Sequence, residues 1–164
     1  MDVRCRSAEP PLAPPGVRAA RSDDLPAVVA IEQASFSDPW PHQAFADSLV
    51  DPIRRFLVAV EGAEVVGYVI AWFVAGQGEI ANIAVAPASR GRGIGAALLD
   101  AALADGASQG ATAIYLEVRE SNHAARALYA SRAFLEVGRR RGYYRRPLED
   151  AIVLRRDAEP GGRG

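Results

Sequence analysis

The stretch from residue 83 to residue 95 reads Ile-Ala-Val-Ala-Pro-Ala-Ser-Arg-Gly-Arg-Gly-Ile-Gly, and it is the most informative segment of the chain. It predicts a strand that stops at a proline, a loop of glycine and arginine, and the start of a long alanine-rich helix. Backbone N–H groups at a helix N-terminus carry a partial positive charge, and glycines let a phosphate approach them closely. Arg90 and Arg92 add charged side chains. The segment therefore indicates a cradle for an anion.

The glycine spacing separates three classes of phosphate-binding loop. A Walker loop ends in Gly-Lys-Ser/Thr, whereas this chain contains no lysine. A dinucleotide fingerprint needs Gly-x-Gly-x-x-Gly, but Gly91, Gly93 and Gly95 follow a pattern that is one residue shorter. The pattern that fits is Arg90-x-x-Gly93-x-Gly95. It resembles the pyrophosphate loop of the GNAT (GCN5-related) N-acetyltransferases, which hold acetyl-coenzyme A.

Size and composition describe one ordinary domain. The chain has 164 residues, of which 49% are hydrophobic, and this is enough for one core. The formal net charge of −1 argues against a nucleic-acid binder that works by bulk charge. The single cysteine, Cys5, excludes an internal disulfide and a cysteine metal cluster. His42 and His123 are too separated in sequence for a convincing metal site, so no metal is expected.

The two ends of the chain differ in composition from its centre. Residues 1–15 are rich in proline and alanine, and we interpret them as a disordered extension. We expect the folded domain over residues 16–157 and a flexible tail over residues 158–164. The sequence shows neither the apolar segment of a secretory signal nor an apolar run of transmembrane length. These features predict a cytoplasmic protein without a membrane partner.

The predicted order of elements is β-α-α-β-β-β-α-β-α-β-β. Strands at 79–85 and 113–118, joined by a helix at 93–108, make a βαβ unit with two parallel strands. The other strands are expected at 17–20, 56–60, 65–74, 134–139 and 151–154, and the other helices at 25–34, 42–50 and 123–132. GNAT proteins have the same order. The resemblance implies an α/β (α+β) fold with about four helices and a mixed, mostly antiparallel sheet of six to seven strands, in which strands four and five are parallel.

Glu117 interrupts an apolar strand near its C-terminal end. A carboxylate in such a strand is costly unless it is paired or useful, and ligands of open α/β sheets bind at C-terminal strand ends. One interpretation is an exposed or arginine-paired side chain, and the other is a catalytic base. Acetyl transfer to an amine needs a base, because an α-amine with a pKa of about 7.7–8.0 or a lysine with a pKa of about 10.4 is mostly protonated at pH 7. The resemblance favours the catalytic base.

Tyr129 follows Glu117 by twelve residues. A lone tyrosine in a helix commonly fills a gap in the core, but its phenol can also donate a proton to a departing thiolate. GNAT enzymes often carry a tyrosine in this helix, in a motif similar to Asn122-x-x-Ala125-x-x-Leu128-Tyr129-x-x-x-x-Phe134, and there it is the proposed general acid. Asn122 suits a helix N-cap, and an asparagine at this place in the family also binds the pantetheine arm.

The resemblance implies acetyl-coenzyme A as cosubstrate and assigns two segments to it. If strands four and five splay apart, unpaired backbone groups of strand four can bind the pantetheine amides like an added strand. The residues expected along the pantetheine are Ile83, Ala84 and Val85. Those expected at the pyrophosphate are Gly91, Arg92, Gly93, Ile94, Gly95 and Ala96.

A basic and aromatic segment runs from Arg139 to Arg146. One interpretation is a solvated hairpin arm whose charge is balanced by Glu149 and Asp150. The other is a wall of the acceptor groove, formed by Tyr143 and Tyr144. Trp40 is expected to contribute on the opposite side of this groove, because the helical segment there shapes acceptor choice in GNAT folds.

Further segments narrow the resemblance within the GNAT family. They match, in order, bacterial ribosomal-protein-alanine N-acetyltransferases: Ile31-Glu32-Gln33, Pro39-Trp40, Asn82-Ile83-Ala84-Val85, Leu116-Glu117-Val118-Arg119, Ser121-Asn122, Tyr143-Tyr144 and Glu149-Asp150-Ala151-Ile152-Val153-Leu154. The resemblance implies acetylation of the N-terminal alanine of a small-subunit ribosomal protein, without direct contact to nucleic acid. Two alternatives stay open: a lysine or small-amine acetyltransferase, and a non-catalytic acetyl-coenzyme A sensor. The presence of both Glu117 and Tyr129 favours an enzyme over a sensor.

Overall fold

The computed structural model describes residues 16–158, and the extension expected at 1–15 and most of the expected tail lie outside these residues. The elements follow the predicted order. The strands are β1 (Gly16–Ala19), β2 (Arg54–Glu61), β3 (Glu64–Val74), β4 (Gln77–Val85), β5 (Ala113–Arg119), β6 (Leu135–Arg145) and β7 (Leu148–Asp157). The helices are α1 (Leu25–Ser35), α2 (His42–Val50), α3 (Ile94–Ser108) and α4 (His123–Ser131), with short 3-10 turns at Ser22–Asp24 and Pro87–Ser89.

The seven strands form one sheet in the order β1-β2-β3-β4-β5-β7-β6. The β4 and β5 strands run parallel, and every other neighbouring pair is antiparallel. This confirms the predicted fold class, with its mostly antiparallel sheet and its parallel pair at strands four and five. Since α3 connects β4 to β5, the parallel pair is the βαβ unit that the sequence predicts.

Helices cover both faces of the sheet, and β3 shows this most clearly. Successive side chains of a strand point to opposite faces. Val69 and Ala71 therefore pack in one core, which contains α3 and α4 residues, while Tyr68 and Ile70 pack in a second core with α1 and α2. At Gly67, α3 approaches the sheet so closely that a Cβ atom would lie 2.9 Å from the Leu98 side chain. The close packing of α3 on β3 thus requires glycine at this position.

Pairing between β4 and β5 stops before the middle of either strand. The paired residues are Gln77 with Ala113, Gly78 with Ile114, and Glu79 with Tyr115. Beyond them, residues 80–85 of β4 and residues 116–119 of β5 have no ladder to each other, and we call this opening the β4–β5 gap. It confirms the splay that the resemblance implies.

The last two strands are longer than the sequence predicts. The predicted strands at 134–139 and 151–154 extend to Leu135–Arg145 and Leu148–Asp157, so the basic segment belongs to a strand. Apolar alternation could not show this, because β6 is an edge strand with mostly exposed side chains. Its charge is balanced locally: Arg139 lies 2.8 Å from Glu120 and 3.0 Å from Asp150.

Candidate active site

The β4–β5 gap exposes one edge of β4. The Ala86 N–H donates to the Val66 carbonyl of β3 at 2.8 Å. Because backbone groups alternate in direction along a strand, Ile83 and Val85 direct theirs into the gap, while Ala84 directs its own to β3. The gap therefore presents strand-like donors and acceptors to which an extended molecule with amide groups can bind.

The loop before α3 has the geometry of an anion site. Gly91 and Gly93 adopt φ values of +79° and +80°, which side chains other than glycine rarely tolerate. The first bond within the helix joins the Ala97 N–H to the Gly93 carbonyl at 3.0 Å. Consequently, the N–H groups of residues 94–96 have no acceptor within the helix and are available to a phosphate.

The two arginines of this loop have different contacts. Arg90 donates from Nε to the Val85 carbonyl and from Nη2 to Ser35 Oγ, both at 3.1 Å, so it ties the loop to β4 and α1. Arg92 forms an ion pair of 3.1 Å with Glu61, and both side chains remain partly exposed. Of the two, Arg92 is the one whose surface pair can readily exchange for an anionic ligand.

Glu117 lies beside the gap on β5. Its neighbours Leu116 and Val118 pack in the core beneath α3 and α4, so Glu117 points to the opposite face, which carries α1 and α2. Its side chain is 21% exposed, and its Oε1 accepts from Arg140 Nε at 2.8 Å. The arginine pairing that the sequence left open is therefore present, and the carboxylate also borders the gap.

A second carboxylate, Glu79, was missed by the sequence analysis. It pairs with Tyr115 at the last paired position of β4 and β5, at the closed end of the gap. Burial, followed by the negative charge of Glu117, raises the pKa of Glu79. The available signal was a glutamate within the predicted strand at 79–85, but its nearness to Glu117 follows only from the parallel register.

Tyr129 lies on the other side of the sheet from Glu117. It is buried in the core with α3, and its ring packs edge-on against Phe134 at 5.8 Å. Burial raises the pKa of Tyr129, and the neighbouring Tyr144 raises it further. Glu117 and Tyr129 thus lie on opposite faces of the sheet.

Tyr143 and Tyr144 lie next to Glu117 at the end of β6. Their rings are edge-on at 5.1 Å, and the Arg119 guanidinium lies 4.2 Å from the Tyr144 ring centre. Burial and the Glu117 carboxylate raise the pKa of Tyr143, and burial, Glu117 and Tyr143 together raise that of Tyr144 to about 12. Both tyrosines are therefore neutral hydrogen-bonding groups at physiological pH.

Asn122 and Trp40 both have structural contacts. Asn122 is the N-cap of α4, where its side chain accepts from the Ala125 N–H at 3.2 Å, as its sequence context predicts. The Trp40 ring packs on Phe45 at 5.6 Å, and its backbone N–H donates to Glu32 at 3.0 Å. Trp40 belongs to the linker between α1 and α2, residues 36–41.

A bridge joins this linker to the turn between β6 and β7. Arg119, at the end of β5, donates to the Pro147 carbonyl at 3.2 Å and to Glu149 at 3.3 Å. It also reaches Ser37 Oγ at 3.4 Å, and Ser37 in turn donates to the Arg146 carbonyl. The linker and the turn therefore meet over the end of β5, on the same face as Glu117.

The site combines an anion cradle, an open strand edge and the Glu117 carboxylate, with the buried Tyr129 phenol on the opposite face of the sheet. Over residues 16–158, no group of three or more His, Cys, Asp or Glu side chains is placed to hold a metal ion. In the same part of the chain, no helix is long and apolar enough to cross a membrane.

Comparisons with known proteins agree with this geometry. The sequence model described as "Acetyltransferase (GNAT) family" matches residues 25–134. The N-alpha-acetyltransferase RimI of Mycobacterium tuberculosis is 43% identical over 125 residues, which cover 74% of this chain and 77% of that protein. The ribosomal protein bS18-alanine N-acetyltransferase of Escherichia coli is 34% identical over 140 residues, which cover 84% of this chain and 94% of that protein. The crystal structure of the Escherichia coli ribosomal-protein-S18-alanine N-acetyltransferase is similar, with a TM-score of 0.83, 31% identity, and coverage of 92% of this chain and 97% of that one.

Proposed function

The chain belongs to the GNAT family of acetyltransferases, and on this premise we propose that it transfers the acetyl group of acetyl-coenzyme A to the N-terminal α-amine of a protein. Two relatives are named for N-terminal acetylation, and the name of the Escherichia coli enzyme specifies an alanine of ribosomal protein bS18. We assign the same class of acceptor to this chain, an N-terminal alanine of a ribosomal protein. Such an acceptor implies a reaction in the cytoplasm.

The β4–β5 gap is the observation that carries the proposal. The open edge at Ile83 and Val85 would bind the amides of the pantetheine arm, mainly through Ile83 and the Val85 N–H, because the Val85 carbonyl already accepts from Arg90. The pyrophosphate would lie at residues 91–96, on the free N–H groups of α3, with Arg92 released from Glu61 to pair with it. The two sites are continuous along the chain, so one extended molecule can bind both.

In the proposed mechanism, Glu117 accepts a proton from the acceptor ammonium, directly or through a water molecule. The neutral amine attacks the thioester carbonyl, so that a C–N bond forms and the C–S bond breaks. Tyr129 donates its phenolic proton to the departing thiolate, from the opposite face of the sheet. No side chain of the protein needs to be acetylated, because the amine attacks the thioester directly. As the tetrahedral intermediate collapses, the nitrogen loses its second proton to solvent, which reprotonates the Tyr129 phenolate, and Glu117 returns its proton to bulk water. The complete reaction therefore converts one ammonium and one thioester into one amide, one thiol and one released proton.

The acceptor side of the site favours a chain terminus. Tyr143, Tyr144 and Trp40 would line a groove beneath the bridge between the linker and the β6–β7 turn. An α-amine has a pKa about 2.5 units below that of lysine and therefore offers a few hundredfold more neutral nucleophile near pH 7. A peptide backbone follows the α-amine at once, so a groove can hold it in one register.

A competition between two peptides tests the proposal. One begins with a free alanine, and its twin has the same sequence with a blocked N-terminus and one internal lysine. Mass spectrometry after incubation with acetyl-coenzyme A at neutral pH should show faster acetylation of the first peptide. Faster acetylation of the twin would identify a lysine acetyltransferase. Coenzyme A binding without acetylation of either peptide would favour a sensor or a small-amine acceptor.

A further inference from the structure

Glu32 is a buried carboxylate outside the proposed catalytic pair. It lies in α1, its residue is 1% exposed, and it packs against the sheet on the face that carries α1 and α2. Within residues 16–158, it has no arginine or histidine as an ion-pair partner. A buried carboxylate is costly unless hydrogen bonds satisfy it, and an apolar side chain of similar size would avoid this cost. The groups that donate hydrogen bonds to Glu32 indicate its role.

Three donors from three separate segments converge on this carboxylate. Oε1 accepts from the backbone N–H of Trp40, in the linker between α1 and α2, at 3.0 Å. Oε2 accepts from the Tyr68 hydroxyl of β3 and from Asn82 Nδ2 of β4, the latter at 2.9 Å. One oxygen therefore holds the linker and the other holds the sheet. A carboxylate suits this place because it accepts hydrogen bonds at both oxygens.

Both ends of this connection lie at the proposed site. Asn82 directly precedes Ile83, whose backbone groups face the β4–β5 gap. At the other end, the linker that contains Trp40 also contains Ser37, which donates to the Arg146 carbonyl of the β6–β7 turn. Glu32 thus joins the strand that would bind the cosubstrate to the segment that would border the acceptor.

We propose that Glu32 is a positioning residue of the acetyltransferase site, whose carboxylate fixes the linker at Trp40 relative to the open edge of β4. The proposal rests on the proposed function for its effect on the acceptor. Glu32 does not touch the reacting atoms, and its loss leaves the α3 N-terminus in place. Its removal therefore weakens acceptor binding more than acetyl-coenzyme A binding.

Three variants separate positioning from general stability. Glu32→Met removes both oxygens at similar side-chain length, so the Trp40 N–H loses its acceptor. Glu32→Gln keeps an amide oxygen for Trp40, and the side-chain amide of Asn82 can rotate to match. Tyr68→Phe, the matched control, removes one donor to Oε2 and leaves the Trp40 contact intact.

The kinetic readout is the KM of an alanine-starting peptide. Glu32→Met should raise this KM about tenfold or more, which is the loss expected for a hydrogen bond to a charged group, and change acetyl-coenzyme A affinity less than about twofold. Glu32→Gln and Tyr68→Phe should stay within about threefold of the wild type. An unchanged acceptor KM in folded Glu32→Met protein would overturn the proposal.

Hydrogen exchange provides a readout that does not depend on activity. In the wild type, the Trp40 amide should exchange at least about a hundredfold more slowly than the Asp38 amide of the same linker, because only the Trp40 amide is held by Glu32. In Glu32→Met this protection should vanish. Unprotected exchange of Trp40 in the wild type would overturn the proposal even if the variant does not fold. If the wild type acetylates no peptide, the proposed function fails, while this exchange experiment still decides whether Glu32 holds the linker.

Discussion

Arg140 Nε lies 2.8 Å from Glu117 Oε1, so the carboxylate that would bind the acceptor ammonium already forms an ion pair with a cation. Arg140 reaches it from β6, with its guanidinium 5.6 Å from the Tyr143 ring centre, and its side chain is 60% exposed. Because Arg140 is largely in solvent, which screens its charge, the pair contributes about 1 kcal/mol. The acceptor can therefore displace Arg140 at little cost, and Glu117 need not serve only as its partner.

The first prediction concerns the base. Glu117→Gln should lower kcat by roughly 10²–10⁴-fold, the usual effect of losing a general base, with acetyl-coenzyme A affinity little changed. The loss in kcat should shrink as the pH rises toward the pKa of the acceptor amine, because the neutral amine then forms without a base. Steady-state kinetics from pH 6 to pH 10 measure both effects. Wild-type turnover of the variant at neutral pH would show that Glu117 has a structural role only.

Arg140→Gln is the matched control for this experiment. It breaks the same ion pair from the other side and leaves the Glu117 carboxylate in place. We expect kcat to stay within about tenfold of the wild type, since the Arg140 side chain is largely exposed and solvent screens its charge. Equal losses in Arg140→Gln and Glu117→Gln would mean that the ion pair, and not the base, supports activity.

The second prediction concerns the anion cradle. Gly93→Glu should abolish coenzyme A binding in calorimetry, because it places a carboxylate at the N-terminus of α3, where the pyrophosphate would lie. Gly110→Glu is its control at the other end of the same helix. Both glycines have positive φ, +80° and +75°, and open space at the Cβ position, so both variants carry similar backbone strain. Loss of binding in both, or in neither, would contradict the assignment.

More of the fold than of the candidate site could be predicted from the sequence. The order of elements follows from local patterns along the chain, and the parallel pair follows from the strand, helix and strand predicted at 79–85, 93–108 and 113–118. The gap could not be derived in this way, because it depends on pairing that ends at Glu79 and Tyr115, and no residue pattern records where a ladder stops. The resemblance to a family supplied it.

Contacts between distant segments explain the other differences between the predicted site and the site in the structure. Arg90 carries a charge suited to a phosphate, yet it bonds to the Val85 carbonyl and to Ser35 of α1. Glu79 is an ordinary strand residue in sequence, yet the register brings it close to Glu117. Both outcomes depend on which segments meet in space. The sequence therefore predicts the chemical type of each side chain but not the residues that the side chain contacts.

The third prediction concerns stability. Asp24 accepts from two Arg18 nitrogens at 2.7 and 2.9 Å and from the Arg21 N–H at 2.8 Å, and the Arg18 hydrogen bonds are the main cause of its lowered pKa. A carboxyl whose folded pKa lies below its unfolded value of about 3.9 stabilises the fold above that pH and loses this contribution as the pH falls further. Asp24→Asn should therefore lower the free energy of unfolding by about 1–3 kcal/mol at pH 7.

The same experiment has a pH arm and a control. In urea unfolding, the difference between wild type and Asp24→Asn should shrink below about pH 4, where the carboxyl of the unfolded chain takes up a proton that the folded chain does not yet bind. Asp23→Asn changes an exposed neighbour, and we expect it to stay within about 0.5 kcal/mol of the wild type. A pH-independent difference would assign the effect to packing and not to charge.

The last prediction concerns the acid. Tyr129→Phe removes one buried hydroxyl and keeps the ring that packs on Phe134, so kcat should fall by roughly 10²–10⁴-fold while the melting temperature changes little. Tyr115→Phe, whose hydroxyl bonds to Arg155 at 3.1 Å, should keep near-wild-type kcat. Because burial raises the pKa of Tyr129, its phenol keeps the proton above the ordinary tyrosine value of about 10. Wild-type kcat should therefore stay constant up to about pH 10 in stopped assays. A decline in kcat centred below about pH 9, present in the wild type and absent from Tyr129→Phe, would contradict the assignment. It would show that the proton donor is not a buried phenol with a raised pKa.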